Sequence, residues 1–255
     1  SILLFEHGIQ ATGGTWMMHN NLANALNKKG RSMEAIQHYN HALKLDPPDP
    51  EGVHYNLAIA LTSMGSLQEA IEHYHEAIRI NPDYADAHVN LGVALARLGK
   101  TDEARHHYFE ALRVDPDFTQ ANYNLANLLL AKGETDAAIH RYSKAVRIDP
   151  LFVESYNGLG LALMQTGKLE EAILCFRKAT NIRPSFRDSQ KNLKLAQSLF
   201  ERIDQAVSEM RDALKFNLQT QDLEVKVIEL LEKKAKLEKT LKQFQKTLSM
   251  QPGIA

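Results

Sequence analysis

Apolar residues fall on this chain in helical stripes, and the stripes recur. Between Ala85 and Phe118, counted as positions 1 to 34, Leu91, Gly92, Ala94 and Leu95 occupy 7, 8, 10 and 11. Spacings of three and four residues place them on one side of a helix, with polar residues on the other. A second stripe takes positions 20, 21, 24, 27 and 28, including Ala104, Tyr108, Ala111 and Leu112. Gly99 at position 15 separates the two stripes and Pro116 at position 32 follows the second. A glycine there can adopt the left-handed conformation that ends a helix, and a proline cannot continue one. The pattern predicts two short antiparallel helices.

The same pattern returns every 34 residues, and a fixed period decides architecture before any other feature. Position 20 is Ala35, Ala70, Ala104, Ala138, Ala172 and Ala206, and position 27 is Ala42, Ala77, Ala111, Ala145, Ala179 and Ala213. Position 24 is Tyr39, Tyr74, Tyr108, Tyr142, Phe176, Met210 and Phe244. The closing proline is Pro47, Pro82, Pro116, Pro150, Pro184 and Pro252, with Leu218 in the sixth place; Pro50 adds one residue to the first spacing. Glycine ends the first helix at Gly30, Gly65, Gly99, Gly133 and Gly167. One helical hairpin cannot bury its own apolar face, whereas stacked copies share a core that runs from neighbour to neighbour.

These residues resemble the tetratricopeptide repeat: leucine at 7, glycine or alanine at 8, alanine at 20, an aromatic at 24, alanine at 27 and proline at 32. The resemblance covers nearly the whole chain. It implies an all-α fold, a right-handed superhelical solenoid of antiparallel helix pairs, whose first helices line a concave groove that binds peptides. The chain departs from the family at position 4, often tryptophan, where it has His19, His54, His88, Asn122, Tyr156 and Gln190, and at position 11, where leucine replaces the usual tyrosine. The variant H-x-N-L-x-x-A-L is similar to repeats attached to protein O-glycosyltransferases, including multi-spanning membrane enzymes.

Five clear repeats are expected over 16–186 (16–49, 51–84, 85–118, 119–152 and 153–186). Residues 1–15 read as the second helix of a truncated repeat, so the chain is expected to be a fragment of a longer one. A degenerate sixth repeat, 187–220, has Glu201 in place of the helix-ending glycine and Lys194 at the small position 8, so its helices are expected to fuse or splay. Residues 221–255 admit two readings, a degenerate seventh repeat or one long capping or coiled-coil helix, because Leu223, Val227, Leu230, Leu237, Leu241, Phe244 and Leu248 satisfy both patterns. The repeat reading is preferred.

Charge narrows the function. Lys and Arg total 30 against 31 Asp and Glu, a formal net charge of −1, so no basic footprint for nucleic acid is expected. One cysteine, Cys175, leaves no internal disulfide framework. No apolar run approaches the roughly 20 residues of a membrane span, so no membrane insertion by this chain is expected. The compartment stays open; one placement is the extracytoplasmic part of a membrane protein. No cofactor is expected, since no Walker loop, dinucleotide fingerprint or Gly-x-Ser-x-Gly elbow occurs. The chain itself reads as a non-enzyme.

The sharpest candidate site is an asparagine ladder at position 6: Asn21, Asn56, Asn90 and Asn124, then Gly158 and Asn192. Helical geometry puts position 6 on the side of the first helix away from the buried stripe. An amide offers both a donor and an acceptor, so it can pair with a peptide backbone whatever that peptide's sequence. Asn24, Tyr55, Tyr123, Asn127 and Asn157 are neighbouring groove candidates. The resemblance adds that glycosyltransferase-type repeats hold extended substrate with such a ladder. The alternative is that these asparagines only bond within their own repeats. A clamp for a C-terminal carboxylate is not expected, because position 5 is Asn20, Tyr55, Val89, Tyr123 and Asn157, with no cation before Lys191.

Histidine recurs at position 4 (His19, His54, His88) and at position 23 (His38, His73, His107), which reads as structural work in separate repeats and not as a metal site. Three functions follow: an interaction scaffold with a protein or peptide in its groove, the substrate-presenting arm of a larger membrane-bound glycosyltransferase, or a module for weak homo-oligomerisation.

Overall fold

The structure is a computed structural model and describes residues 2–215 together with Glu232. The sequence alternatives for 221–255 therefore lie outside the described residues, Glu232 apart. Among the described residues there are twelve helices and no strands. The described residues divide into two compact units, with the boundary between Asn124 and Leu125.

In the first unit α1 (Ile2–Thr12) packs on α2 (Trp16–Lys28), and α2 pairs with α3 (Ser32–Lys44). The next pairs are α4 (Pro50–Ser63) with α5 (Leu67–Ile80) and α6 (Ala85–Arg97) with α7 (Thr101–Val114). α3 also packs on α4 and α5 on α6, and α2, α4 and α6 touch in sequence, so these first helices lie side by side. The division between the units falls within α8 (Thr119–Ala131). In the second unit α9 (Thr135–Ile148) packs on α10 (Val153–Gln165), and α10 pairs with α11 (Leu169–Ile182). The last described helix, α12 (Arg187–Lys215), packs on α11 and reaches α10.

The turn within each pair follows from one glycine. Gly30, Gly65, Gly99, Gly133 and Gly167 all have φ between 77° and 82°, where a side chain would be strained. The residue after each glycine donates its N–H back to the leucine at position 11, as from Lys100 to Leu95 at 3.0 Å and from Lys168 to Leu163 at 3.0 Å. That long bond satisfies a carbonyl that the helix end would otherwise leave open. Glu201 occupies the corresponding place in α12, and the helix runs through it without a break. The first spacing, one residue longer, puts Asp46 at φ 49° and Pro50 in the first turn of α4.

The core is a lock between positions 8 and 24. Tyr39, Tyr74, Tyr142 and Phe176 are each no more than 1 % exposed. A Cβ added to Gly92 would lie 2.5 Å from Tyr108 Cε1, and one added to Gly160 would lie 2.6 Å from Phe176 Cε1. The ring fills the volume that the small residue vacates, which is why both belong to the pattern. Ala23, Ala58 and Ala126 take the small position elsewhere, all fully buried.

Candidate functional site

Asn21 on α2, Asn56 on α4 and Asn90 on α6 stand at the same position of three helices that lie side by side. Asn21 is exposed, while Asn56 and Asn90 are half-buried. Asn90 Nδ2 donates to Tyr55 Oη at 2.9 Å, which fixes the amide and leaves its oxygen as an acceptor. Tyr55 is held in turn by Tyr84, ring centroids 4.8 Å apart, and by Tyr74 at 6.1 Å. The side chains of Asn21 and Asn56 make no hydrogen bond among the described residues, so their amides are available. Asn124, on the first-unit end of α8, is only 6 % exposed, and its Nδ2 is buried with no hydrogen-bond partner. Gln120 Nε2 reaches its oxygen at 3.5 Å. Tyr123, beside it, is buried.

The other candidate amides serve the fold. Asn24 Oδ1 accepts from Tyr39 Oη at 2.7 Å, and Asn127 Oδ1 accepts from Tyr142 Oη. Each caps the one polar atom of a core ring, an arrangement that burial of a tyrosine demands. Asn157 is buried on α10, and its Oδ1 accepts from Ser189 Oγ at 3.1 Å and from Asn192 Nδ2 at 2.9 Å, both on α12. The interruption of the ladder at Gly158 also has a cause. The Tyr142 ring from the preceding repeat lies where a side chain at Gly158 would begin.

One arrangement joins residues that the sequence reading kept apart. His19 Nδ1 and His38 Nδ1 are 3.0 Å apart, His54 and His73 2.9 Å, and His88 and His107 3.0 Å, in each case Nδ1 to Nδ1. The signal was present as three histidine pairs with a constant separation of 19 residues. Its meaning depends on the angle at which two helices of a hairpin meet. His88 Nε2 also lies 3.1 Å from the Pro82 carbonyl, and the Gly13 backbone raises the proton affinity of His19 against the larger lowering by burial. The same backbone place is reached by Asn122 Nδ2 at the Pro116 carbonyl, 3.3 Å, and by Gln190 Nε2 at the Pro184 carbonyl. At His88, Asn122 and Gln190, position 4 is therefore a donor that ties a first helix to the turn before it.

The bond to Pro82 settles the tautomers of the His88–His107 pair. A neutral imidazole has one N–H. His88 uses its own at Nε2 on the Pro82 carbonyl, so its Nδ1 is an acceptor and His107 Nδ1–H donates. Burial lowers the proton affinity of all six histidines, most strongly at His107, which falls to about 4 under the added influence of His88, His106 and His75. Elsewhere burial pushes the Cys175 thiol up to about 11, with Glu171 adding to it, so this cysteine is a poor nucleophile. Among the described residues no three His, Cys, Asp or Glu side chains converge as metal ligands, and no helix is long and apolar enough to cross a membrane.

Models of the tetratricopeptide repeat match residues 17–49 and 85–118, and 123–185, and a TPR-repeat model matches 60–99. No curated protein matches the chain. Among solved structures, YrrB, titled a TPR protein with an unusual peptide-binding site, is 21 % identical with a TM-score of 0.58, covering 76 % of this chain and 100 % of its own. MamA is 27 % identical, TM-score 0.57, over 64 % of this chain and 95 % of that one. PilF of Pseudomonas aeruginosa is 18 % identical, TM-score 0.67, over 84 % of this chain and 97 % of that one.

Proposed function

Because this chain belongs to the tetratricopeptide-repeat proteins, we propose that it is a non-catalytic protein-interaction scaffold that holds an extended polypeptide along the first helices of residues 1–124. The observation that carries this reading is the row of amides. Asn21 and Asn56 are accessible and uncommitted, and Asn90 is fixed by Tyr55 with its oxygen left to accept. Asn124 contributes an N–H that the fold leaves unpaired. Because that Nδ2 is buried, a ligand carbonyl meets it only once the amide turns outward, and the cost of a buried donor without a partner favours that turn. Affinity would be spread over several backbone bonds and the flank of Tyr55, which favours extended segments over a particular side chain. The peptide-binding site named for YrrB supports the reading by fold alone.

The test is to pan the full chain against a displayed library of random peptides, then to scan each selected peptide with backbone N-methyl groups. Selected peptides should lose binding on N-methylation, and the triple variant Asn56→Ala, Asn90→Ala, Asn124→Ala should bind them at least about tenfold more weakly, three hydrogen bonds being worth about 0.5–1.5 kcal/mol each. Helicity should not change. No enriched peptide, or undiminished binding by the triple variant, would overturn the reading.

A further inference from the structure

The three histidine pairs are the least expected feature of residues 1–124. A histidine on a first helix meets a histidine on the second helix of the same hairpin, three times, with the same two atoms facing at 2.9–3.0 Å. At that distance one proton lies between two nitrogens, and each neutral pair is a good hydrogen bond. The lone pair of one ring faces the N–H of the other, and among the described residues no third His, Cys, Asp or Glu side chain converges on them.

The pair has a limited capacity for protons. A first added proton goes to the free Nε2 of the donor ring and leaves the bond intact, as a charge-assisted one. A second can be placed only on the accepting Nδ1, on the axis already occupied. Two N–H groups then face each other with two like charges about 3 Å apart, and the bond is lost. In the third pair the acceptor ring is also fixed by Pro82, so it cannot turn away without giving up that bond as well.

We propose that these pairs make residues 16–114 acid-labile: double protonation separates α2 from α3, α4 from α5 and α6 from α7, while residues 135–182 stay closed. The surroundings grade the three pairs. Around His19 and His38 stand His41 and Glu34 on α3 and Glu6 on α1, so one added cation is offset by two carboxylates. Around His54 and His73 stand Glu69, Glu72, Glu76 and Arg79, all on α5, an excess of carboxylates that admits a proton most readily. Around His88 and His107 stand His106, Glu110 and Arg113 on α7 and His75 on α5, an excess of cationic and titratable groups that resists one. The order of titration on acidification is therefore the α4–α5 pair first and the α6–α7 pair last.

The direction of the effect follows from linkage. All six folded-state affinities lie below the unfolded value of 6.5. The unfolded chain then binds more protons wherever the pH lies under 6.5, and stability falls with acid. The contribution is complete above 6.5 and is lost progressively toward about 4, where His107 itself titrates. The corresponding residues of the fifth repeat are Tyr156 and Cys175, both pushed up by burial, and neither takes a charge on acidification over that range.

The experiment is hydrogen exchange of the full chain at pH 7 and pH 5, corrected for intrinsic rates, with and without His38→Gln, His73→Gln and His107→Gln together. Protection over 16–114 should fall at least about tenfold at pH 5, since each proton withheld by one pKa unit is a factor of ten. Protection over 135–182 should hold, and the triple variant should lose the difference. An equal loss in both segments, or a variant as acid-labile as the wild type, overturns the proposal. Should the variant not fold, the imidazole titrations of the wild type by NMR decide it. All six paired rings should titrate below 6.5, His107 lowest, and any paired ring titrating at or above 6.5 overturns it.

Discussion

Residues 2–124 and 125–215 are built on one repeat and use its polar positions differently. In the first, position 6 is a row of amides, two of which have no hydrogen-bond partner among the described residues, and in three repeats positions 4 and 23 are paired histidines. In the second, position 6 is Gly158 under the ring of Tyr142 and then Asn192, which donates to Asn157 beside Gly158, and the fifth repeat has tyrosine and cysteine for the histidine pair. Helix, turn and core are common to both. What differs is whether a polar side chain meets another helix of the chain. The repeat fixes where a side chain stands, and its neighbour fixes what that side chain does.

The common part should fail alike in both regions. Tyr39 is 1 % exposed and Phe176 is 0 % exposed, each the ring of its own hairpin. Tyr39→Ala and Phe176→Ala should each cost about 3–5 kcal/mol, the usual loss for a fully buried aromatic. Urea denaturation measures it, and hydrogen exchange shows which hairpins open. A loss in one region with tolerance in the other would mean that the two do not share a packing scheme.

The polar part should fail unequally. Asn157→Leu strips Ser189 and Asn192, both buried, of their acceptor, and each orphaned group costs about 1–3 kcal/mol. Asn56→Leu removes an amide with no partner from a half-buried place and should stay within about 0.5 kcal/mol of the wild type. Matched denaturant midpoints compare the two directly. If they cost the same, Asn56 is structural after all and the amide row has no spare capacity for a ligand.

Most of the fold could be read from the sequence, because the signals that carry it are local. Gly99 ends a helix by its own conformation, and Glu201 in the same place lets α12 continue. The site was legible only as a set of positions. Position 6 puts Asn21, Asn56 and Asn90 on α2, α4 and α6, which touch in sequence. Nothing local, however, tells Asn24 from Asn21: three residues apart on one helix, one caps Tyr39 and the other does not. That depends on where a ring from the next helix ends. The histidine pairs escaped for the same reason, since each partner lies 19 residues away across a turn.

The capped tyrosines give the finest comparison, because Asn24 in the first region and Asn127 in the second make the same bond. Tyr39→Phe and Tyr142→Phe each delete one hydroxyl and leave the ring in place. The net worth of such a bond is about 0.5–1.5 kcal/mol. Both amides are half-buried, so water can take up the freed oxygen and the loss should lie at the lower end of that range. Thermal melts of the two variants at pH 7.5, where the histidine pairs are neutral, should show small and equal shifts. The double variant Tyr39→Phe with Asn24→Ala should then be no worse than Asn24→Ala alone, since the hydroxyl that Asn24 caps is gone. A further loss in that cycle would mean that the Tyr39 hydroxyl has a partner besides Asn24.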